Sequence, residues 1–167
     1  MTTLETPTSL RSARCLTLPQ TPPTNDRHDR ARETTMSPAQ AVQVAARAIA
    51  RNVLHPVCSP VAGVAFHPRS LLAVLSYCYL SEIYSSADIE DLMRRDGNFR
   101  QVCGNQIPDA QTLRRFRRHN REAIETCIGA ALRSLAEQGG GHATEADLLD
   151  QAHNLVTTAM LMDMNEN

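Results

Sequence analysis

Apolar and polar residues follow a helical period along most of the chain. After the capping pair Ser37-Pro38, apolar residues recur every three or four positions, which predicts a helix over about 38–54. Pro68 begins a second helix that is apolar nearly all round and is therefore expected at the centre of the core. No segment shows the period of two that is typical of strands, so the pattern predicts an all-α fold.

Capping residues mark two further helices. Ser85 precedes a short helix predicted over about 86–95. Pro108 and Asp109 then begin a helix whose pattern continues to about Gln138, with Asp109 as its N-cap. The short helices and tight turns before Asp109 resemble a helix-turn-helix arrangement, in which the second helix enters the major groove of DNA.

A glycine run at 139–141 separates this helix from a last one, which Thr144 caps. The last helix carries an apolar stripe that can either pack inside the molecule or form a dimer face. We favour packing inside the molecule, because a small domain needs the burial. The stripe comprises Leu148, Ala152, Leu155, Ala159 and Met162.

Composition divides the chain into three parts. Residues 1–36 hold nine threonines, four prolines and few large apolar side chains, which predicts a disordered tail. Residues 37–138 carry the helical pattern and form the predicted compact domain. Residues 139–167 are interpreted as a glycine linker followed by an acidic helix.

The formal net charge of −1 hides a strong asymmetry along the chain. Residues 94–121 carry eight arginines against two acids (+6), whereas residues 122–167 carry one arginine against eight acids (−7). Such a basic segment predicts an anionic partner. All 17 basic residues are arginine, which excludes a lysine Schiff base and a P-loop lysine.

The basic segment centres on one amphipathic helix, residues 109–124. Helical spacing places Leu113, Phe116 and Ile124 on one stripe facing the core and the arginines on the other side, with Arg117 at the border. Arginine forks suit phosphates and guanine edges, so this helix is the predicted DNA contact. The predicted DNA-binding residues are Gln111, Thr112, Arg114, Arg115, Arg117, Arg118 and Arg121.

A purely structural role for these arginines stays open. They can form a solvated face, or they can pair with acids of the last helix such as Glu145, Asp147 and Asp150. Like charges spaced four residues apart on a helix repel by a few tenths of a kcal/mol, so either kind of anion would stabilise the segment.

An ordered set of short motifs runs from residue 67 to residue 128. It comprises a His-Pro helix start, a Ser-Ser cap, the aromatic-arginine pair Phe99-Arg100, and a Pro-Asp cap before a T-x-x-x-F-R-R sequence that begins at Thr112. In order and spacing this set resembles the N-terminal helical domain of InsH-like, insertion-sequence-5 type DDE transposases. The resemblance implies binding to the terminal inverted repeats of a mobile element during transposition and DNA recombination. The implied DNA-contacting residues are Thr112, Arg114, Arg115, Arg117 and Arg118.

The sequence departs from that family after the arginine helix. The family's catalytic ribonuclease-H-like domain begins with an Asp-Gly-Thr strand, whereas here a glycine run and an acidic helix follow. Asp147, Asp150 and Asp163 are expected on a solvent-facing helix or frayed end. We therefore expect a DNA-binding protein without catalysis of its own. The alternatives are a fragment that forms homodimers, or heterodimers with a full-length transposase that it regulates, and a non-functional remnant.

Other functional classes find little support. The five cysteines form no CxxC pair, and Cys78 and Cys127 lie in apolar helical patterns where burial is expected. The sequence predicts no metal site, no cofactor and no small-molecule substrate. It shows no signal peptide and no membrane span, so a cytoplasmic protein is expected.

Overall fold

Helices connected by short loops make up the computed structural model, which describes residues 36–59, 63–103, 105–140 and 143–165. No strand occurs in these ranges, and the all-α prediction is confirmed. The predicted disordered tail lies outside the described residues except for Met36. The helices are Pro38–Ala48 (α1), a 3-10 turn at Arg51–Val53, Pro68–Leu80 (α2), Ser86–Arg95 (α3), Gly97–Val102 (α4), Ala110–His119 (α5), Arg121–Gln138 (α6) and Glu145–Asn165 (α7).

The predicted capping residues begin the helices as expected. Ser37 and Gln40 form a reciprocal capping box, in which each side chain accepts the other residue's backbone N–H. The Ser85 hydroxyl accepts two N–H groups of the first turn of α3. Thr144 and Asp147 cap α7 reciprocally. Each pair satisfies donors that a helix start would otherwise leave unpaired.

The central position predicted for α2 is confirmed. Its residues Leu71, Leu72, Leu75 and Tyr79 are 0% exposed. The helix packs against α1 and α6, and also contacts α4, α5 and α7. Aliphatic side chains from these helices form one continuous core around α2. Such burial is the main favourable term in folding, at about 25 cal/mol for each Å² of apolar surface removed from water.

The helix predicted to run from Asp109 to Gln138 is interrupted at Asn120, so that part of the prediction is wrong. Asn120 leaves the helical conformation at φ −122° and ψ 26°. Its buried side chain accepts the N–H of His55 at 2.7 Å and donates to the carbonyls of His55 and Phe116 at 3.1 and 3.0 Å. The amide thus mimics a backbone pairing partner, and it fixes the loop around His55 to the end of α5.

The helix predicted over 38–54 is also shorter than expected. Helix α1 ends at Ala48, and Ile49 and Ala50 adopt extended conformations before the 3-10 turn. The Arg69 guanidinium donates to the carbonyl of Ile49 at 2.7 Å, which satisfies an acceptor just past the helix end.

Helix α7 packs on the rest of the fold, which confirms the intramolecular packing that we favoured. Thr34–Asn167 form one compact unit that includes this helix. The buried stripe follows Ala152, Val156, Ala159 and Asp163, whereas Met162 is 47% exposed. A methyl group at Gly129 of α6 would lie 3.4 Å from the Leu149 side chain, so α6 and α7 are in contact at this position.

Three of the four described cysteines lie inside the fold. Cys78, Cys103 and Cys127 are buried and free, whereas Cys58 is exposed. Burial raises the pKa of the Cys127 thiol to about 11, and burial together with neighbouring Cys103 raises that of Cys78 to about 12. Both act as small apolar side chains, as expected. Among the described helices, none has the length and apolar content that a membrane span requires.

Candidate nucleic-acid interface

The first turn of α5 is closed by two carboxylates. Asp109 accepts the N–H of Thr112 at 2.7 Å and the hydroxyl of Ser59 at 2.6 Å. Glu90 of α3 accepts the N–H of Ala110 at 2.8 Å. The predicted N-cap is therefore confirmed, but these amides are already engaged and the helix start carries negative charge. A phosphate would meet α5 further along its length.

The structure divides α5 into a buried and an accessible side. The buried side consists of Thr112, Leu113, Phe116 and Arg117. The accessible side consists of Gln111, Arg114, Arg115, Arg118 and His119. The core prediction for Leu113 and Phe116 is confirmed. Thr112 and Arg117, also predicted to contact DNA, lie on the buried side, where they are only 0% and 2% exposed.

The guanidinium of Arg117 is held inside the protein by four acceptors. Its Nη1 donates to a carboxylate oxygen of Asp163 at 2.6 Å and to the carbonyl of Ala159 at 2.5 Å. Its Nη2 donates to the hydroxyl of Ser86 at 2.8 Å and to the carbonyl of Tyr84 at 3.3 Å. A buried charge is tolerated when it is paired and hydrogen-bonded in this way.

Asp163 is the counter-charge of this cluster. It accepts the backbone N–H of Ser86 at 3.1 Å and the hydroxyl of Ser86 at 2.9 Å, so one carboxylate joins α7 to the start of α3. The Nε of Arg114 lies 3.5 Å from Oδ1 of Asp163, whereas Arg117 binds Oδ2. The Tyr79 ring centroid lies 5.3 Å from the Arg117 guanidinium carbon, which adds a cation–π contact.

The expectation that Asp163 faces solvent is wrong, because the residue is 7% exposed. Pairing between α5 arginines and α7 does occur, but with this residue rather than with the three acids considered from the sequence. Of those three, Glu145 pairs with Arg133 of α6 and Asp147 caps α7. The sequence does contain a signal for the burial of Asp163. Ala152, Val156 and Ala159 follow one another at helical spacing, and Asp163 is the next position on the same buried face.

The arginines of α3 and α6 are paired with carboxylates. Arg95 pairs with Asp91 at 2.8 Å and Arg94 with Glu90, within α3. Arg121, a predicted DNA-binding residue, lies on α6 and is likewise paired with a carboxylate. Its Nε lies 2.8 Å from Glu125, and its Nη2 donates to Thr157 of α7 at 3.2 Å. This side chain is therefore engaged along the α6–α7 contact.

Arg115 and Arg118 differ from those arginines, because neither forms an ion pair with any residue that the structure describes. We call the accessible side of α5, defined above, the α5 face.

Two other segments of the protein border the α5 face, one on each flank. The ring of His55, in the loop that Asn120 fixes, lies 6.5 Å from the ring of His119. On the other flank, Met160 and Met164 of α7 border a crevice of about 320 Å³ beside Arg114 and Arg118.

Comparison with known proteins connects these helices to a family. Residues 42–119 match the family described as Transposase domain (DUF772). This stretch is transposase-related. The transposase-related stretch begins inside α1 and ends with the last residue of α5, so it includes the α5 face but not Asp163. Neither the curated proteins nor the solved structures gave a match.

The cap of α5 gives a pH-dependent prediction. Partial burial raises the pKa of Asp109, but hydrogen bonds from Ser59 and Thr112 outweigh it and hold the pKa below its ordinary value. The stabilisation is therefore complete above the unfolded-state pKa and is lost as pH falls through the folded-state pKa. We expect Asp109→Ala to lower the free energy of unfolding by about 1 kcal/mol at pH 7, measured by urea denaturation, with a smaller loss at pH 3.

Asp109→Asn is the matched control, because it keeps the capping oxygen but does not titrate. The difference in free energy of unfolding between Asp109→Asn and wild type should also shrink as pH falls, because the wild-type carboxylate becomes protonated. A loss for Asp109→Ala that is equal at both pH values would contradict the role of ionisation.

The buried cluster gives a second prediction. Arg117→Ala removes the hydrogen-bonded counter-charge of the buried Asp163 carboxylate and leaves only the more distant Arg114, and we expect it to lower the free energy of unfolding by about 3–5 kcal/mol. Arg115→Ala, on the accessible side of the same helix, should cost within about 0.5 kcal/mol. Denaturant titrations monitored by circular dichroism measure both.

Removing both charges tests the electrostatic origin of that loss. The double variant Arg117→Met with Asp163→Leu removes both buried charges of the pair together and should be more stable than Arg117→Ala alone. Equal losses for Arg117→Ala and Arg115→Ala would show that the cluster does not stabilise the fold.

Proposed function

We propose that this protein binds double-stranded DNA through the α5 face. The observation that carries the proposal is the pair Arg115 and Arg118, which reach solvent without an ion-pair partner among the described residues. Arginines on α3 and α6 show that the chain readily supplies carboxylates elsewhere. A surface with unmatched guanidinium groups suits phosphates, and the planar fork also suits guanine edges in the major groove.

The transposase-related stretch supports DNA as the anion. It ends with α5, and α3, α4 and α5 follow one another as short helices with α5 packed against α3. This order supports a helix-turn-helix mode of binding, with α5 as the recognition helix. Together with the resemblance to InsH-like transposases, it leads us to propose the terminal inverted repeats of a mobile element as the target.

The contacts that we propose differ from those inferred from the sequence. Gln111, Arg114, Arg115 and Arg118 meet the DNA, because they lie on the accessible side of α5. Thr112 and Arg117 position the helix from inside. Since carboxylates close the start of α5, phosphates are contacted by its middle and C-terminal half.

We also propose that the chain does not cleave DNA by itself. Two-metal phosphoryl transfer needs carboxylates that converge on a metal ion. On α7, Asp163 is instead paired with Arg117, and Asp147 is hydrogen-bonded to Thr144.

Salt dependence tests the binding proposal. If Arg114, Arg115 and Arg118 neutralise three phosphates, log affinity should fall with log salt at a slope of about −2.7. The double variant Arg115→Ala with Arg118→Ala should weaken duplex binding and bring the slope to about −0.9. Fluorescence anisotropy with a labelled duplex measures both quantities.

The matched control removes the same charge elsewhere, by Arg47→Ala on α1 with Arg133→Ala on α6. It should retain the wild-type slope. The proposal fails if wild-type protein binds no duplex at 50 mM salt, or if the control weakens binding as much as the α5 double variant.

Catalysis is tested by incubating supercoiled plasmid with the protein and Mg²⁺. We expect no more nicked plasmid than in buffer, measured on an agarose gel. Nicking that disappears in an Asp150→Asn variant would show that the chain carries catalytic carboxylates.

A further inference from the structure

The crevice between α5 and α7 has two chemically different walls. On the α5 side lie Arg114 and Arg118, four residues apart and therefore neighbours on the helix surface. On the α7 side lie Met160 and Met164, with the same spacing. The crevice has a volume of about 320 Å³, at the lower end of the range for small-ligand sites.

The floor of the crevice is electrostatically balanced. It is formed by Arg117 and Asp163, whose charges face each other at 2.6 Å. Two further guanidinium groups, from Arg114 and Arg118, line the same space, so the crevice as a whole remains cationic despite the carboxylate. The Nε of Arg114 lies 3.5 Å from Asp163, so this guanidinium lies beside the opening.

The methionine wall favours a flat, polarisable group. Thioethers make favourable contacts with aromatic rings, and unbranched methionine side chains adapt to the ring they meet. Met164 is 72% exposed, so its contact surface is accessible. A ligand that fits both walls carries an anionic group joined to an aromatic ring, and a nucleotide has this composition.

We propose that this crevice holds one unpaired nucleotide of bound DNA. Its phosphate lies on Arg114 and Arg118, and its base lies against Met160 and Met164. Bases inside a duplex are stacked and cannot enter, so the ligand is a nucleotide at a bulge or at a single-stranded end. This inference rests on the proposed function, because it places the nucleotide next to DNA held by the α5 face.

The experiment compares two DNA ligands by fluorescence anisotropy. One is a blunt duplex, and the other is the same duplex with a single unpaired 2-aminopurine bulge. We expect the intact protein to bind the bulged duplex about five-fold more tightly, as the strength of thioether–ring contacts suggests. The 2-aminopurine emission should change on binding, because the base moves into a new environment.

Variants of the methionine wall test the location. Met160→Ala with Met164→Ala should abolish the preference for the bulge and leave blunt-duplex affinity unchanged, whereas Met160→Leu with Met164→Leu should keep most of the preference. Met162→Ala is the matched control, because this residue of α7 borders a different crevice, beside Tyr84 and Leu92. It should behave as wild type.

The outcomes separate this inference from the proposed function. Equal affinity for both ligands, or a preference that survives loss of both methionines, overturns the crevice assignment while duplex binding by the α5 face stands. Absence of binding to either ligand overturns both. Circular dichroism and thermal melts verify that each variant is folded.

Discussion

The ion pair between Arg117 and Asp163 is the interaction on which the arrangement of α3, α5 and α7 depends. Both side chains are buried, and moving two charges out of water costs several kcal/mol for each ion. The structure offsets that cost with a dense set of hydrogen bonds. Arg117 of α5 reaches Ser86 at the start of α3, the carbonyl of Tyr84 before it, and Ala159 of α7. Three helices are therefore held in one relative orientation.

This cluster also explains why the arginines of α5 divide into two groups. Arg117 uses both terminal nitrogens inside the protein, whereas Arg115 and Arg118 extend from the other side of the helix. The counter-charge comes from outside the transposase-related stretch, which ends two residues after Arg117. That stretch is therefore completed here by α7, and the position of the α5 face depends on a helix beyond the family match.

The sequence predicted what is determined locally. Helix starts at Ser37, Ser85, Asp109 and Thr144 follow from side chains that reach amides three residues away at most, and all four are confirmed. The break at Asn120 was missed because it depends on His55, which is 65 residues distant. A helical wheel likewise placed Arg117 only at a border. Its burial depends on Asp163, 46 residues further along the chain.

The same distant contacts determine how rigidly the α5 face is presented. On one flank, Asn120 pairs with both backbone groups of His55, so the loop cannot move away from the end of α5 without losing these part-buried hydrogen bonds. On the other flank, Asp163 holds α7 against the helix. Such fixed surroundings reduce the conformational freedom that the side chains of the α5 face lose when a partner binds. Lysine would not reproduce these contacts, because its three donors lie on one nitrogen, whereas Arg117 uses two terminal nitrogens to reach four separated acceptors.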